Sequence, residues 1–242
     1  MHNPICDFAV QKILTPENRT EPVIVPTAAC LHRFGFNGSA TAVGNYFDRE
    51  DVNLECHFAV DKDGTLFQFM PVNRQADAQA AGNDHVVSVE TWDGGRNVPL
   101  HQEQVETLIR LAVWLEQEWL IPPRVAMFST GTGWAWHSRF PSWNPNSHDC
   151  PGTPRVNQLQ NIILPAAREI LNPPTPPEDD MFSDPDRAML QKVHDALFIQ
   201  QGSVLDVVTA ANRAAKGSEG RTDEVPEKRS LLGRIADKLG VQ

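Results

Sequence analysis

A chain of 242 residues, with 40% hydrophobic and 21% charged side chains, can bury one substantial core and leave room for a smaller second unit. Its net charge of −10, with no segment of clustered Lys and Arg, excludes a general binder of nucleic acid, because neutralising phosphates needs such clusters. No apolar run approaches the roughly 20 residues that cross a bilayer, and the start MHNPICDFAV lacks the basic-then-apolar pattern of an export signal; neither membrane insertion nor a signal peptide is expected.

Residues 1–22 read as an irregular lead-in with turn formers at Pro16, Glu17 and Asn18. The apolar run 23–31, VIVPTAACL, has the pattern of a buried strand and ends at His32, whose side chain projects from the strand's end. Gly35 and Gly38 mark a loop, and Ser39 is placed to cap a helix over about 40–47. Residues 56–60 and 65–69 alternate on either side of Asp61-Lys62-Asp63-Gly64, which predicts a β-hairpin. Residues 85–91, HVVSVET, form another strand, with Glu90 near its polar end. From 102 to 119 the apolar positions Val105, Leu108, Ile109, Leu111, Ala112 and Leu115 recur at helical spacing, and Pro122-Pro123 stop that helix. A second amphipathic helix follows Cys150-Pro151-Gly152, with Val156, Leu159, Ile162, Ile163 and Ala167 on its inner face. Strands alternating with helices, one hairpin imposing an antiparallel pair, give an α/β domain with a mixed central β-sheet flanked by α-helices.

Composition shifts at 173–180, where prolines give way to acids, as in a stiff extended linker. The predicted organisation is therefore a domain over 1–172, a linker over 173–180 and a small helical C-terminal region over 181–242. Within that region helices are expected over about 186–201, 204–215 and 230–239, with a polar stretch at 216–227.

The chemistry concentrates in 136–152, WHSRFPSWNPNSHDCPG, where His137, His148 and Cys150 share one loop-like segment. Imidazole and thiolate suit zinc, and a catalytic zinc takes three protein ligands and leaves a fourth position open. His32 is the best further donor. Cys6, Cys30, Cys56 and Cys150 show no repeating spacing and are read as reduced thiols, Cys150 being the one whose neighbours give it a role. His57, within a hairpin strand, is read as satisfied in the core, and His2, His85, His101 and His194 as surface residues. Trp134, Trp136, Trp143 and Trp92 fit either sugar-stacking platforms or local packing.

Taken in order, the strand VIVPTAACLH, the hairpin CHFAVDKDGTLFQF, the strand VVSVETWDG, the long helix, the single His137 and finally SHDCPG resemble the zinc-dependent N-acetylmuramoyl-L-alanine amidases of the type 2 class. That class includes phage endolysins, bacterial recycling amidases and animal peptidoglycan recognition proteins, and the likeness runs from about residue 23 to 171. The resemblance implies that His32, His137 and Cys150 hold one Zn²⁺ per chain, Cys150 rather than Asp149 occupying the place before Pro-Gly where the family has Cys or Asp. It puts His148 where many members carry a Lys that stabilises the transition state. Between His137 and Cys150 the chain is longer than in the family, with an insertion containing Pro141, Trp143 and Pro145. Some members draw their general base from a Tyr just before the hairpin His, here Cys56, and others from a Glu matching Glu90; Glu90 is the expected base. The implied substrate is bacterial peptidoglycan, cleaved between N-acetylmuramic acid and L-alanine. The expected role is that of a phage endolysin, held in the host cytoplasm until a membrane-permeabilising helper protein gives it access to the cell wall. A cytoplasmic enzyme recycling muropeptides, or a recognition module that binds without cutting, are the alternatives. The C-terminal region is open to three readings: packing, homo-oligomerisation or wall binding.

Overall fold

The computed structural model describes residues 2–14, 20–95, 98–173, 185, 186, 188–190 and 192. The chain divides into units Met1–Pro174 and Thr175–Gln242, and the sheet and its flanking helices belong to the first. Of the helices expected after the linker, the described residues 185, 186, 188–190 and 192 are helical; 204–215 and 230–239, and nearly all of the linker, lie outside the described residues. Among the described residues no helix is long and apolar enough to cross a membrane.

Six strands, β1 (Val10–Gln11), β2 (Ala28–Leu31), β3 (Phe58–Val60), β4 (Leu66–Gln68), β5 (Val86–Thr91) and β6 (Gly133–Trp136), form one sheet in the order β1-β4-β3-β5-β2-β6. Only the β3–β4 hairpin is antiparallel; β3, β5, β2 and β6 run parallel, so the sheet is mixed. Helices α1 (Ala40–Phe47) and α2 (Gln102–Trp119) have the bounds that the spacing predicts, and Ser39 caps α1 by accepting from the Ala42 N–H.

Four expectations change. The lead-in is not wholly irregular: Val10–Gln11 pairs with β4, and Cys6 and Leu14 are fully buried. The strand ending at His32 is confined to Ala28–Leu31, because Pro26 has no N–H to offer a ladder and Val23 and Val25 stand 67% and 76% exposed. α2 stops before Pro122, at Leu120, which adopts φ 58 and returns its N–H to the Glu116 carbonyl. The last helix runs as α3 (Thr153–Gln158), a π turn (Leu159–Ile163) and α4 (Leu164–Leu171). The wider turn shifts the phase, so Leu159, Ile163 and Leu164 are buried while Ile162 is 47% exposed.

Period-two alternation sorts each central strand between two cores. Ala29 and Leu31 of β2, with Val87 and Val89 of β5, meet Leu108, Leu111, Leu115, Leu159 and Ile163 of the helices. Ala28, Cys30, Val86 and Ala135 face the other way, onto Trp143 and Ala126. Trp134 and Trp143 are 0% and 1% exposed, so they are packing residues.

His57, wholly buried, is also structural: Nδ1 accepts from the Ser88 N–H at 3.0 Å and Nε2 donates to the Arg74 carbonyl at 2.8 Å. Burial depresses its pKa from 6.5 to about 4. Between those values the unfolded chain binds a proton that the fold refuses. Its contribution to stability is therefore complete above pH 6.5 and falls by roughly 3 kcal/mol as the pH drops to 4. Denaturant unfolding at pH 7 and 4.5 should show His57→Gln losing less stability on acidification than the parent; equal losses in the two would remove His57 as a cause.

Candidate metal and catalytic centre

Because Leu31 is level with both Val89 and Trp136, the next residues along β2, β5 and β6 are His32, Glu90 and His137. These three stand side by side at the carboxyl ends of parallel strands. His32 falls on the same side of the sheet as Cys30, and Glu90 on that of Val86, away from the long helices. Cys150 arrives from outside the sheet, on the turn that Gly152, at φ 95, leads into α3.

One ligand atom each from His32, His137 and Cys150 lie within 4.8 Å of one another. His32 Nδ1 is 4.0 Å from Cys150 Sγ and 3.9 Å from Glu90 Oε1, and the His32 and His137 ring centroids are 4.6 Å apart. His137 Nε2 is 3.0 Å from the Trp143 carbonyl oxygen, an acceptor only, so it carries the proton and Nδ1 keeps a free lone pair. Glu90 Oε2 is buried without a hydrogen-bond partner. The sequence-derived donors thus converge.

Burial, reinforced by His137, drives His32 well below the ordinary imidazole value. Burial and His148 lower His137, against the Trp143 carbonyl. Both rings are therefore neutral lone-pair donors at pH 7. Burial and Glu90 push the Cys150 thiol up to about 12, while the Arg33 backbone N–H and the guanidinium groups of Arg33 and Arg155 pull it back. Burial raises Glu90 well above the usual carboxylate range, Arg33 opposing. A cation among these groups would reverse the cost of ionising the thiol.

His148 is exposed at the rim, its ring centroid 6.4 Å from that of His137. Its loop is held by Asn144, whose Nδ2 donates to the His148 carbonyl at 2.7 Å and whose Oδ1 accepts from the His148 N–H at 2.9 Å. Trp143 and Asn144 thus orient His137 and His148.

Sequence reasoning missed Arg33, Asp93 and Arg155. Asp93, 4% exposed, pairs with Arg33 through Oδ2 and with Arg155 through Oδ1 at 3.4 Å, and Arg155 Nη1 also donates to the Pro151 carbonyl at 3.0 Å. This network ties the ends of β2 and β5 to the turn bearing Cys150. Asp93→Ala would leave two guanidinium groups unpaired, and is expected to cost about 3–5 kcal/mol in denaturant unfolding. A loss below about 1 kcal/mol would show that the turn is held by other means.

The centre opens into a groove of about 690 Å³. Phe34 and Phe36, Val43, Tyr46 and Phe47, and Leu54 make an apolar wall, and Glu55 and Asp77 make the groove acidic away from the centre.

A family model described as N-acetylmuramoyl-L-alanine amidase matches residues 23–153, more than half of the 242-residue chain. No curated protein sequence matches. The chain is similar to the solved structure of PlyL, at 20% identity and a TM-score of 0.47 over 59% of this chain and 86% of that one. It is also similar to the N-acetylmuramoyl-L-alanine amidase LysC from Clostridium intestinale URNW, at 17% identity and 0.47 over 62% and 93%. A selenomethionine derivative of AmpD aligns at 15% identity and 0.47 over 66% and 98%.

Proposed function

Because this chain belongs to the N-acetylmuramoyl-L-alanine amidase family, we propose that it is a zinc-dependent hydrolase of the bond between the lactyl carbonyl of N-acetylmuramic acid and the amine of L-alanine in peptidoglycan. The observation that carries this reading is the meeting of two neutral imidazoles and a buried thiol beside an unpartnered carboxylate oxygen, at one end of an open groove.

His32, His137 and Cys150 fit zinc by donor chemistry and spacing, since ligand atoms 2.0–2.3 Å from one ion stand roughly 3–4 Å apart. When bound there, zinc acidifies a water to a pKa near 7 and draws charge from the scissile carbonyl. Glu90 takes the proton released as the water oxygen bonds to the carbonyl carbon. It returns that proton to the alanine nitrogen as the C–N bond breaks, leaving a free amine and a carboxylic acid that ionises to solvent. His148, at the rim, donates to the carbonyl oxygen as negative charge develops, a contribution typically worth about 10²–10³ in rate. The groove's apolar wall would carry the stem peptide.

The same reading extends to a lytic role, in which the enzyme accumulates in a bacterial host's cytoplasm and acts on the wall once a helper protein opens the membrane; the proline-rich segment and second unit support it as an accessory region. Purified chain incubated with wall sacculi should release free L-alanine amino termini, and a chelator should stop the release. Binding to sacculi with no release at any zinc concentration would instead establish a recognition module.

A further inference from the structure

Asp93 faces two guanidinium groups and can balance one. Its Oδ2 meets Arg33 Nη1, while its Oδ1 accepts the Gly95 N–H at 2.7 Å and lies 3.4 Å from Arg155 Nη2. The trio therefore holds one positive charge more than it cancels. The two arginines differ in what else they touch. Arg155 is sealed in, its side chain 1% exposed, and it also donates to the Pro151 carbonyl at 3.0 Å and the Gly95 carbonyl at 3.3 Å. Arg33 has Asp93 as its one side-chain hydrogen-bond partner among the described residues, its Nε is buried with none, and its side chain is 16% exposed. The unbalanced charge thus falls to Arg33, the member of the trio that reaches solvent.

What Arg33 reaches is the groove. It follows His32 directly in the chain, and it lines both the 690 Å³ groove and an adjoining cavity of about 400 Å³ that Asn37, Gly94 and Gly95 help to form. Among the described residues lining either cavity there is no lysine and no other arginine. Glu90 opens onto the same groove, but it stands 3.9 Å from His32 Nδ1 and makes no ion pair with Arg33. Glu55 and Asp77 lie in the lining away from the centre. The groove is cationic beside the three donors and acidic farther off, a polarity that draws an anionic group toward the centre and repels it from the other end.

We propose that Arg33 is a specificity residue for the amidase reaction: its guanidinium pairs with a free carboxylate on the stem residue that follows L-alanine. Extended peptide advances roughly 3.3–3.6 Å per residue, so a group held by the neighbour of His32 belongs to a residue just past the scissile bond. The inference rests on the amidase reading and narrows its substrate to stems left acidic, rather than amidated, at that residue. The competing account makes Arg33 a structural tie alone, holding Asp93 as Arg155 does.

Titration calorimetry of the full chain tests this, with chelator present so that nothing is cleaved. The probes are two soluble muropeptides that differ only at the residue after L-alanine, one with its free α-carboxylate and one with the amide. The parent is expected to bind the carboxylate form about 10–100-fold more tightly, the usual worth of a charge-assisted hydrogen bond. Arg33→Gln should bind both forms alike, at the parent's affinity for the amide. Arg33→Lys, which keeps the charge and loses the planar fork, should show the same preference several-fold reduced. A structural tie would weaken both forms together and leave their ratio unchanged; that result, or a parent that binds the two equally, overturns the proposal. Should Arg33→Gln fail to fold, a folded Arg33→Lys with the parent's full ratio overturns it. Failure of the underlying function reads differently: a chain that prefers the carboxylate yet releases no L-alanine amino termini once zinc is restored keeps the subsite and loses the amidase reading. Equal binding with normal release does the reverse.

Discussion

Replacing Cys150 by Ala is expected to leave a folded chain that purifies without stoichiometric zinc and hydrolyses sacculi at least about 10³-fold more slowly. The expectation follows from what the ion supplies, since a water whose pKa returns from about 7 to 15.7 is no nucleophile near neutrality. It also follows from where the thiol sits. Cys150 is 8% exposed and lies on a turn held by Arg155, so the place of its sulfur is set by the turn. His32→Ala should behave in the same way, although its strand is central and some stability will be lost too. Cys150→Asp, which keeps an anionic donor on the same turn, should retain part of both metal and activity. Metal analysis beside initial rates distinguishes the outcomes: full zinc content in Cys150→Ala would remove Cys150 from the ligand set.

Glu90→Gln should separate proton transfer from metal binding. The amide is close to isosteric, yet it cannot accept and return a proton, so kcat is expected to fall by about 10²–10⁴ while zinc content and KM stay near the parent's. Glu90 Oε1 stands 3.9 Å from His32 Nδ1, but Glu90 does not join the three donors that cluster within 4.8 Å. A variant that loses zinc along with kcat would make Glu90 a ligand, and one with unchanged kcat would return the base to some other group.

Much of this centre was legible in the residue order, because strand and helix periodicity is a local property. His32 was found by following an apolar run to its end, Glu90 through the resemblance of its strand to the amidase family, and the bounds of α2 by counting apolar positions. What escaped had no local signature. Gly133–Trp136 reads as part of an aromatic loop and becomes a strand only because β2 offers an open edge beside it. The π turn at Leu159–Ile163 cannot be seen in a pattern that assumes 3.6 residues per turn, which is why Ile162 was expected inward. Asp93, Arg155 and Asn144 are single polar residues whose meaning depends on distant partners: Asp93 is met by Arg155 across 62 positions in the chain.

The in-register ends of β2, β5 and β6 have a further bearing on how such an enzyme diversifies. The spacing between Glu90, His32 and His137 is set by the pitch of a hydrogen-bonded ladder, about 4.8 Å per strand, which no surface mutation can retune. The turns above the sheet, such as the stretch from Ser138 to Asp149, are by contrast free to lengthen. Changes in those turns can reshape the groove while His32, Glu90 and His137 stay locked to the lattice. Only a slip of a whole strand, which would also turn the hydrophobic face outward, could disturb it.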